Sequence, residues 1–182
     1  MNNDKGKVLI TLARNAIASQ LNISHPEDVD DSVDWLQQHG ASFVTLTKND
    51  ELRGCIGSLQ SYQSLADDVR ANAIAAAFHD TRFAPLSRDE YDKIKVEVSV
   101  LSPMQVVDFS SQVDLLSQLR PNIDGVVLEY AGHRGTFLPQ VWEQIPDKQS
   151  FLNQLKLKAG LPVDFWDSSL KIQRYQVSKY HE

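Results

Sequence analysis

The sequence predicts an α/β fold of the α+β type: a mixed, largely antiparallel sheet with helices packed on it. Three stretches carry that prediction. Residues 41–47 are rich in β-branched and aromatic residues and read as a strand, residues 52–59 read as a second, and the polar turn Lys48-Asn49-Asp50-Glu51 between them makes the pair a hairpin. Residues 64–79 form an alanine-rich helical segment. Residues 93–101 alternate, so that Ile94, Val96, Val98 and Val100 share one face and Lys95, Glu97 and Ser99 the other. Hairpins beside helices argue against a purely parallel sheet.

The elements follow in order. Val8, Leu12, Ile17 and Leu21 recur at near-helical spacing, predicting a helix over 5–22. Residues 23–32, with His25 and Pro26, read as a surface loop, and 33–39 as a short helix stopped by Gly40. Ser64 is a suitable N-cap for the helix over 64–79, with Asp67 where a capping-box acid belongs. A short helix is predicted over 112–119. Strands are predicted over 124–130 and 134–141 around a turn containing Gly132, with Pro139 near an end. Phe151, Leu155 and Ala159 line a helix over 148–159 that Gly160 and Pro162 stop. A last strand is predicted over 170–178.

Composition narrows the function classes. A length of 182 residues, with 42% hydrophobic residues, fits one ordinary domain, or two small lobes sharing a core, but not two large domains. The formal net charge of −6, with basic residues scattered, argues against nonspecific nucleic-acid binding. One cysteine makes no internal disulfide and no multi-cysteine metal site. No apolar run approaches the roughly 20 residues that span a bilayer, and the start of the chain is not a convincing signal peptide. A cytoplasmic location without membrane association is the expectation.

The segment Arg53-Gly54-Cys55-Ile56-Gly57 is the most unusual in the chain. Two glycines inside a strand imply a bend or a close approach. In a regular strand Arg53 and Cys55 share a face, and an arginine beside a cysteine favours the thiolate. The plainer account is a buried core cysteine, a glycine bulge and an arginine paired with an acid. A cysteine nucleophile needs a base; His79 and His133 are the candidates, although the plainer account of each is a solvated turn residue, since nothing in their spacing demands catalysis. His25, His39 and His181, in loops or at the tail, are weaker. Glu97 needs a partner such as Arg53 or Arg82 if its strand face is covered, and means little if that face is solvated. Asp80 and Arg82 read as a structural ion pair. No metal or cofactor is expected: there is no His-x-x-x-His, no Cys-x-x-Cys, no calcium loop, no Gly-x-Gly-x-x-Gly and no phosphate loop. A constellation assembled in space from Cys55, His79, His133 and Glu97 stays open.

The string Leu52-Arg53-Gly54-Cys55-Ile56-Gly57 resembles the hallmark of the AMMECR family, known in bacteria and archaea as AmmeMemoRadiSam system protein A. Phe43-Val44-Thr45-Leu46, Arg82-Phe83-Ala84-Pro85-Leu86 and Glu97-Val98-Ser99-Val100-Leu101 look like further family blocks. So do Asp124-Gly125-Val126, Gly135-Thr136-Phe137-Leu138-Pro139-Gln140-Val141-Trp142, and Phe151-Leu152 through Lys158-Ala159-Gly160-Leu161 with Trp166. The likeness runs in order over roughly residues 5–178.

The resemblance implies a single AMMECR-like domain over 1–182, with a larger lobe from both chain ends, a smaller inserted lobe, and a ligand cleft near the hallmark strand. It implies no particular reaction. The system name points to a modification pathway shared with Memo-like and radical SAM proteins. The name does not make this chain the radical enzyme, since one cysteine cannot by itself hold an iron–sulfur cluster. The expectation is therefore an accessory or binding protein that takes an unidentified small molecule or peptide, with Arg53, Gly54, Gly57 and Arg82 at the ligand. The alternative is a cysteine-dependent transferase or hydrolase using Cys55 with His79 or His133, and Glu97 to orient or pair.

Overall fold

The computed structural model describes residues 2–24 and 27–182, so the His25-Pro26 part of the predicted 23–32 loop lies outside the described residues. The elements run α1 (Asn2–Gln20), α2 (Asp34–Gln37), β1 (His39–Lys48), β2 (Glu51–Gly57), β3 (Gln63–Ser64), α3 (Leu65–Phe78) and β4 (Ile94–Leu101). They continue with β5 (Gln105–Val106), α4 (Gln112–Gln118), β6 (Gly125–Tyr130), β7 (His133–Phe137), α5 (Lys148–Lys158), β8 (Lys171–Tyr175) and β9 (Val177–His181). Short 3-10 helices span Arg88–Lys93 and Pro139–Glu143. Contacts group the chain into two units: residues up to Leu101 with Ser178–Glu182, and Ser102–Val177.

In the first unit the strand order is β2-β1-β4-β9, with β3 paired to the start of β1. The hairpin of β1 and β2 closes over Asn49 and Asp50, both at positive φ, the left-handed pair that a two-residue turn demands and that Asn and Asp tolerate best. Alternation then sorts the sheet. Val44, Leu46, Val96 and Val98 form one core with Leu9, Leu12, Ala13 and Ile17 of α1 and Val69, Ala73 and Ala76 of α3. Gly54 lies on this helix-facing side. A Cβ there would sit 2.1 Å from the Ala76 carbonyl oxygen, so the missing side chain is what lets α3 approach β2. Ser64 caps α3, accepting the Asp67 backbone N–H on its hydroxyl.

The second unit has its own antiparallel sheet, ordered β5-β8-β6-β7. Its core is aromatic: Trp142 lies flat on Phe151, centroids 3.6 Å apart, and Phe137 meets the same Phe151 ring edge-on. Val126, Leu128, Leu152, Leu155 and Ile172 complete it.

The predicted α+β architecture is therefore present, with local differences. Gly40 does not stop α2; the helix ends at Gln37 and β1 already begins at His39. His39 and His181 thus lie in strands. The strand predicted over 134–141 ends at Phe137, because Pro139 lacks an N–H to continue a ladder and starts a 3-10 turn instead. The strand predicted over 170–178 is two strands in different sheets, β8 and β9. Gln176 lies at the break, its N–H donated to Ser102 Oγ and its carbonyl accepting from the Ser102 N–H, 2.8 Å each. Among the described residues no helix is long and apolar enough to cross a membrane.

Candidate functional site

The hallmark strand β2 is the outermost strand of its sheet. The Ser58 N–H donates to Ser42 O at 2.9 Å, and Phe43 pairs with Gly57 and Thr45 with Cys55. An antiparallel ladder alternates, so Cys55 and Gly57 turn their backbone N–H and C=O outward, away from β1. An open edge of this kind invites pairing with another chain.

At Cys55 that edge is closed by side chains. Asp80 Oδ2 accepts the Cys55 N–H at 3.0 Å, and Arg82 Nη2 donates to the Cys55 carbonyl at 3.3 Å. The two side chains are locked to one another: Arg82 Nη2 reaches Asp80 Oδ2 at 2.7 Å, while Arg82 Nε and backbone N–H reach Oδ1 at 3.0 and 3.1 Å. The acid and the arginine thus take the place of a neighbouring strand's acceptor and donor. Hydrogen bonds from the Arg82 guanidinium, and then from the Cys55 N–H, hold the Asp80 carboxyl well below the usual carboxylate range. Asp80 stands where it does because α3 has just ended, with the His79 N–H closing the last turn on Ala75 O.

Arg53 is the second element. The pairing slips between Leu46 and Thr47, with Leu46 opposite Gly54 and Thr47 opposite Leu52. Arg53 is left over as a bulge residue, so the regular alternation that would put it on one face with Cys55 is broken. Its Nε and Nη2 grip the two Glu90 oxygens at 3.1 Å each, and Nη2 also donates to Ala84 O at 2.9 Å. Lys48 Nζ adds a contact to Glu90 at 2.9 Å, and the Ser87 N–H another at 3.0 Å. The Glu90 carboxyl is held far below its ordinary range, by Arg53 first and the Ser87 N–H next. Arg53 is only 12% exposed, and its buried Nη1 has no hydrogen-bond partner among the described residues. Arg82, by contrast, is 55% exposed. The Arg53 and Arg82 guanidiniums both lie over the ring of Phe83, at 5.9 and 5.5 Å.

Cys55 is partly buried, and its sulfur meets Thr45 Oγ1 at 3.2 Å. Thr45 in turn sits opposite Glu97 on β4, so Cys55, Thr45 and Glu97 form a row across three strands. The acids that Arg53 and Arg82 engage are Glu90 and Asp80, not Glu97. His79 is exposed at the end of α3. His133 belongs to the second unit, where its Nδ1 lies 3.1 Å from Ala159 O. Among the described residues neither ring hydrogen-bonds the Cys55 sulfur, and no three His, Cys, Asp or Glu side chains cluster as a metal site. The space over the glycines is filled by the protein itself: Ala76 stands over Gly54 and the Phe43 ring over Gly57.

Sequence reasoning singled out Arg53, Cys55 and Arg82 but not Glu90, Thr45 or the ring of Phe83 as their neighbours. Glu90 carried a signal, since Ser87-x-x-Glu90 is a capping box and the structure forms it. Thr45 could be matched to Cys55 only by knowing where the bulge falls.

The AMMECR1 family model matches residues 10–180. A protein of Methanothermobacter thermautotrophicus is 38% identical over 188 residues, spanning 100% of this chain and 96% of its own. One from Sulfurisphaera tokodaii is 38% identical over 187 residues, 97% and 81% of the two chains. The crystal structure of an uncharacterised protein from Pyrococcus horikoshii superposes with a TM-score of 0.83 at 31% identity, over 99% of this chain and 92% of that one.

Proposed function

The chain belongs to the AMMECR1 family, and from that premise we propose that it is a binding or accessory protein that holds an anionic group of a small molecule or peptide beside Arg53, Cys55 and Arg82. The observation that supports this reading is the exposed Arg82 guanidinium, fixed by Asp80 on one side and by the Phe83 ring on another. A planar fork held in one orientation recognises carboxylate or phosphate better than a mobile charge does. Arg53, spent on Glu90 and Ala84, braces the site from behind. In this proposal the ligand or partner belongs to a modification pathway shared with Memo-like and radical SAM proteins, as the likeness to AmmeMemoRadiSam system protein A suggests.

The test is titration of purified Memo-like and radical SAM proteins from the same genome into the labelled chain, with Arg82→Ala in parallel. The proposal expects saturable binding to at least one of them. Loss of the Arg82 fork should weaken it by about tenfold, or ~1.4 kcal/mol. Binding that ignores the substitution would move the contact elsewhere on the chain, and no binding to either protein would remove the pathway.

A cysteine-dependent transferase or hydrolase is the second reading, favoured by the partial exposure of Cys55. It requires a base at the sulfur, with His79 or His133 in that role and Glu97 orienting. The pH dependence of Cys55 alkylation in the native protein separates the two, with Cys55→Ser as a blank. A midpoint clearly below the free-thiol value of about 8.5 supports the enzyme; reaction only after unfolding supports the binding protein.

A further inference from the structure

In the second unit two arginines converge on one acid. Asp124 is fully buried just ahead of β6. Arg120 donates its backbone N–H to Asp124 Oδ2 at 2.9 Å, and its Nε and Nη2 to Oδ1 at 3.1 and 2.7 Å. The Asp124 N–H returns to Arg120 O at 3.0 Å, and Trp142 Nε1 fixes the Asp124 carbonyl at 2.7 Å. The loop that carries Arg120 is thus tied to the aromatic core. From β8, Arg174 brings Nη1 to 3.9 Å from the same carboxylate and donates it to Gln118 O at 3.0 Å.

The charges do not balance: one carboxylate faces two guanidiniums. Burial does not explain the surplus away, because Arg120 is 42% and Arg174 26% exposed. Hydrogen bonding leaves capacity over as well. Arg174 Nε has no partner among the described residues, though it is buried and cannot itself meet a ligand from solvent. Among the described residues Arg120 Nη1 and Arg174 Nη2 make no hydrogen bond. A purely structural role accounts for the Asp124-facing edge of Arg120 and for Arg174 at the last carbonyls of α4. It does not account for two part-exposed guanidiniums that share one carboxylate, each with an outer nitrogen left over.

We propose that Arg120 and Arg174 form an oxyanion site, which takes a phosphate or carboxylate group on the side of the guanidiniums turned away from Asp124. Asp124 orients the Arg120 fork and the Gln118 carbonyl holds Arg174 Nη1; the acid cancels one of the two charges, and the ligand's anion supplies the other. Charge-assisted bonds from two pre-set forks give such a site its affinity. Each named residue lies in the second unit, so the site stands independently of the reading at Arg53 and Cys55.

The experiment titrates inorganic phosphate into the full chain at constant ionic strength, with acetate in a parallel arm, and follows arginine Nε–H resonances by NMR. The expected result is saturable shifts at Arg120 and Arg174. Arg120→Gln and Arg174→Gln should each weaken the apparent affinity about tenfold, while Lys95→Gln, an exposed charge in the other unit, leaves it unchanged. The stronger-binding arm identifies the ligand as phosphate or carboxylate. If a Gln variant loses its native circular dichroism, Arg174→Lys keeps the charge but not the fork, and should bind several-fold more weakly than the parent. Non-saturable shifts in both arms, or affinity indifferent to all three arginine substitutions, would overturn the proposal.

Discussion

Where α3 crosses β2 in the first unit, Gly54 meets the Ala76 carbonyl, backbone against backbone. In the core of the second unit, Trp142 lies flat on Phe151 at 3.6 Å and Phe137 closes on the same ring edge-on. The first contact buries little area per residue but leaves no slack, because neither partner has a side chain that can turn away. The second buries large rings whose truncation leaves a hole that neighbours can partly fill. The hallmark strand is built on the first kind. Its position, and with it the placement of Cys55 and Arg53, is fixed by an absence of atoms.

The largest expected effect follows from that difference. In Gly54→Ala the new Cβ would stand 2.1 Å from a backbone oxygen, so α3 or β2 must move. The expected outcome is loss of more than about 4 kcal/mol or of the fold altogether, read by circular dichroism and the urea midpoint. A variant as stable as the parent would show that α3 can shift, and the contrast between the units would fail. Trp142→Ala is the matching cut in the aromatic core, with an expected loss of about 3–5 kcal/mol. Trp142→Phe keeps a stacking ring but removes the Nε1–H bond to Asp124 O and the rest of the buried indole, for a loss of about 1–3 kcal/mol. A larger loss in the Phe variant would assign the strength of this core to Asp124 instead of to the rings.

This contrast was only half legible in the sequence. The alternation of Ile94, Val96 and Val98, the alanines of α3 and the polar hairpin turn announced a sheet with helices on it, because periodicity is a local property. The two glycines of the hallmark strand announced close approach, but not that the partners would be Ala76 and Phe43, which lie in other elements. Arg53 and Arg82 were legible as charges needing acids. Arg82 finds Asp80 two residues away, while Arg53 finds Glu90, 37 residues on, across a bulge no local pattern displays. The break at Gln176 was hidden for a similar reason: one β-rich run serves two sheets, and alternation does not change when a strand changes neighbours.

The edge of β2 gives a smaller, pH-dependent test. Both acids that hold it, Asp80 and Glu90, have folded-state values depressed below their unfolded values near 4. A depressed carboxyl contributes stability that is fully present above the unfolded value and is lost as pH falls toward the folded one. The melting temperature should therefore be flat above about pH 5 and fall steadily below pH 4. Asp80→Asn and Glu90→Gln should each lower the plateau and make the acid limb shallower. Asp80→Asn should also raise the tendency to associate, since the Cys55 N–H and C=O lose their charged cover at an outer strand; light scattering at neutral pH reads this. An acid limb unchanged in both variants would move the acid sensitivity to other carboxyls.

The smallest effect is expected at Lys156, in the second unit. It is buried on α5, with Nζ donating to Gln112 Oε1 at 3.0 Å and to Val163 O at 3.2 Å, both neutral oxygens. Burial pushes its pKa below the ordinary lysine value. The sign is opposite to that of the carboxyls: the protonated form is the penalised one, so stability rises as pH climbs from the folded value toward the unfolded value near 10.4. Lys156→Met has nearly the same length, needs no hydrogen bonds and carries no charge to desolvate. Its urea midpoint at neutral pH should lie within about 1 kcal/mol of the parent, on either side, and its stability should lose the rise at alkaline pH. A loss of more than about 2 kcal/mol would mean that the two hydrogen bonds outweigh the cost of burying the ammonium. Lys156 would then tie the start of α4 to the loop after α5, and the second unit, like the first, would owe its local order to a polar clamp as well as to its rings.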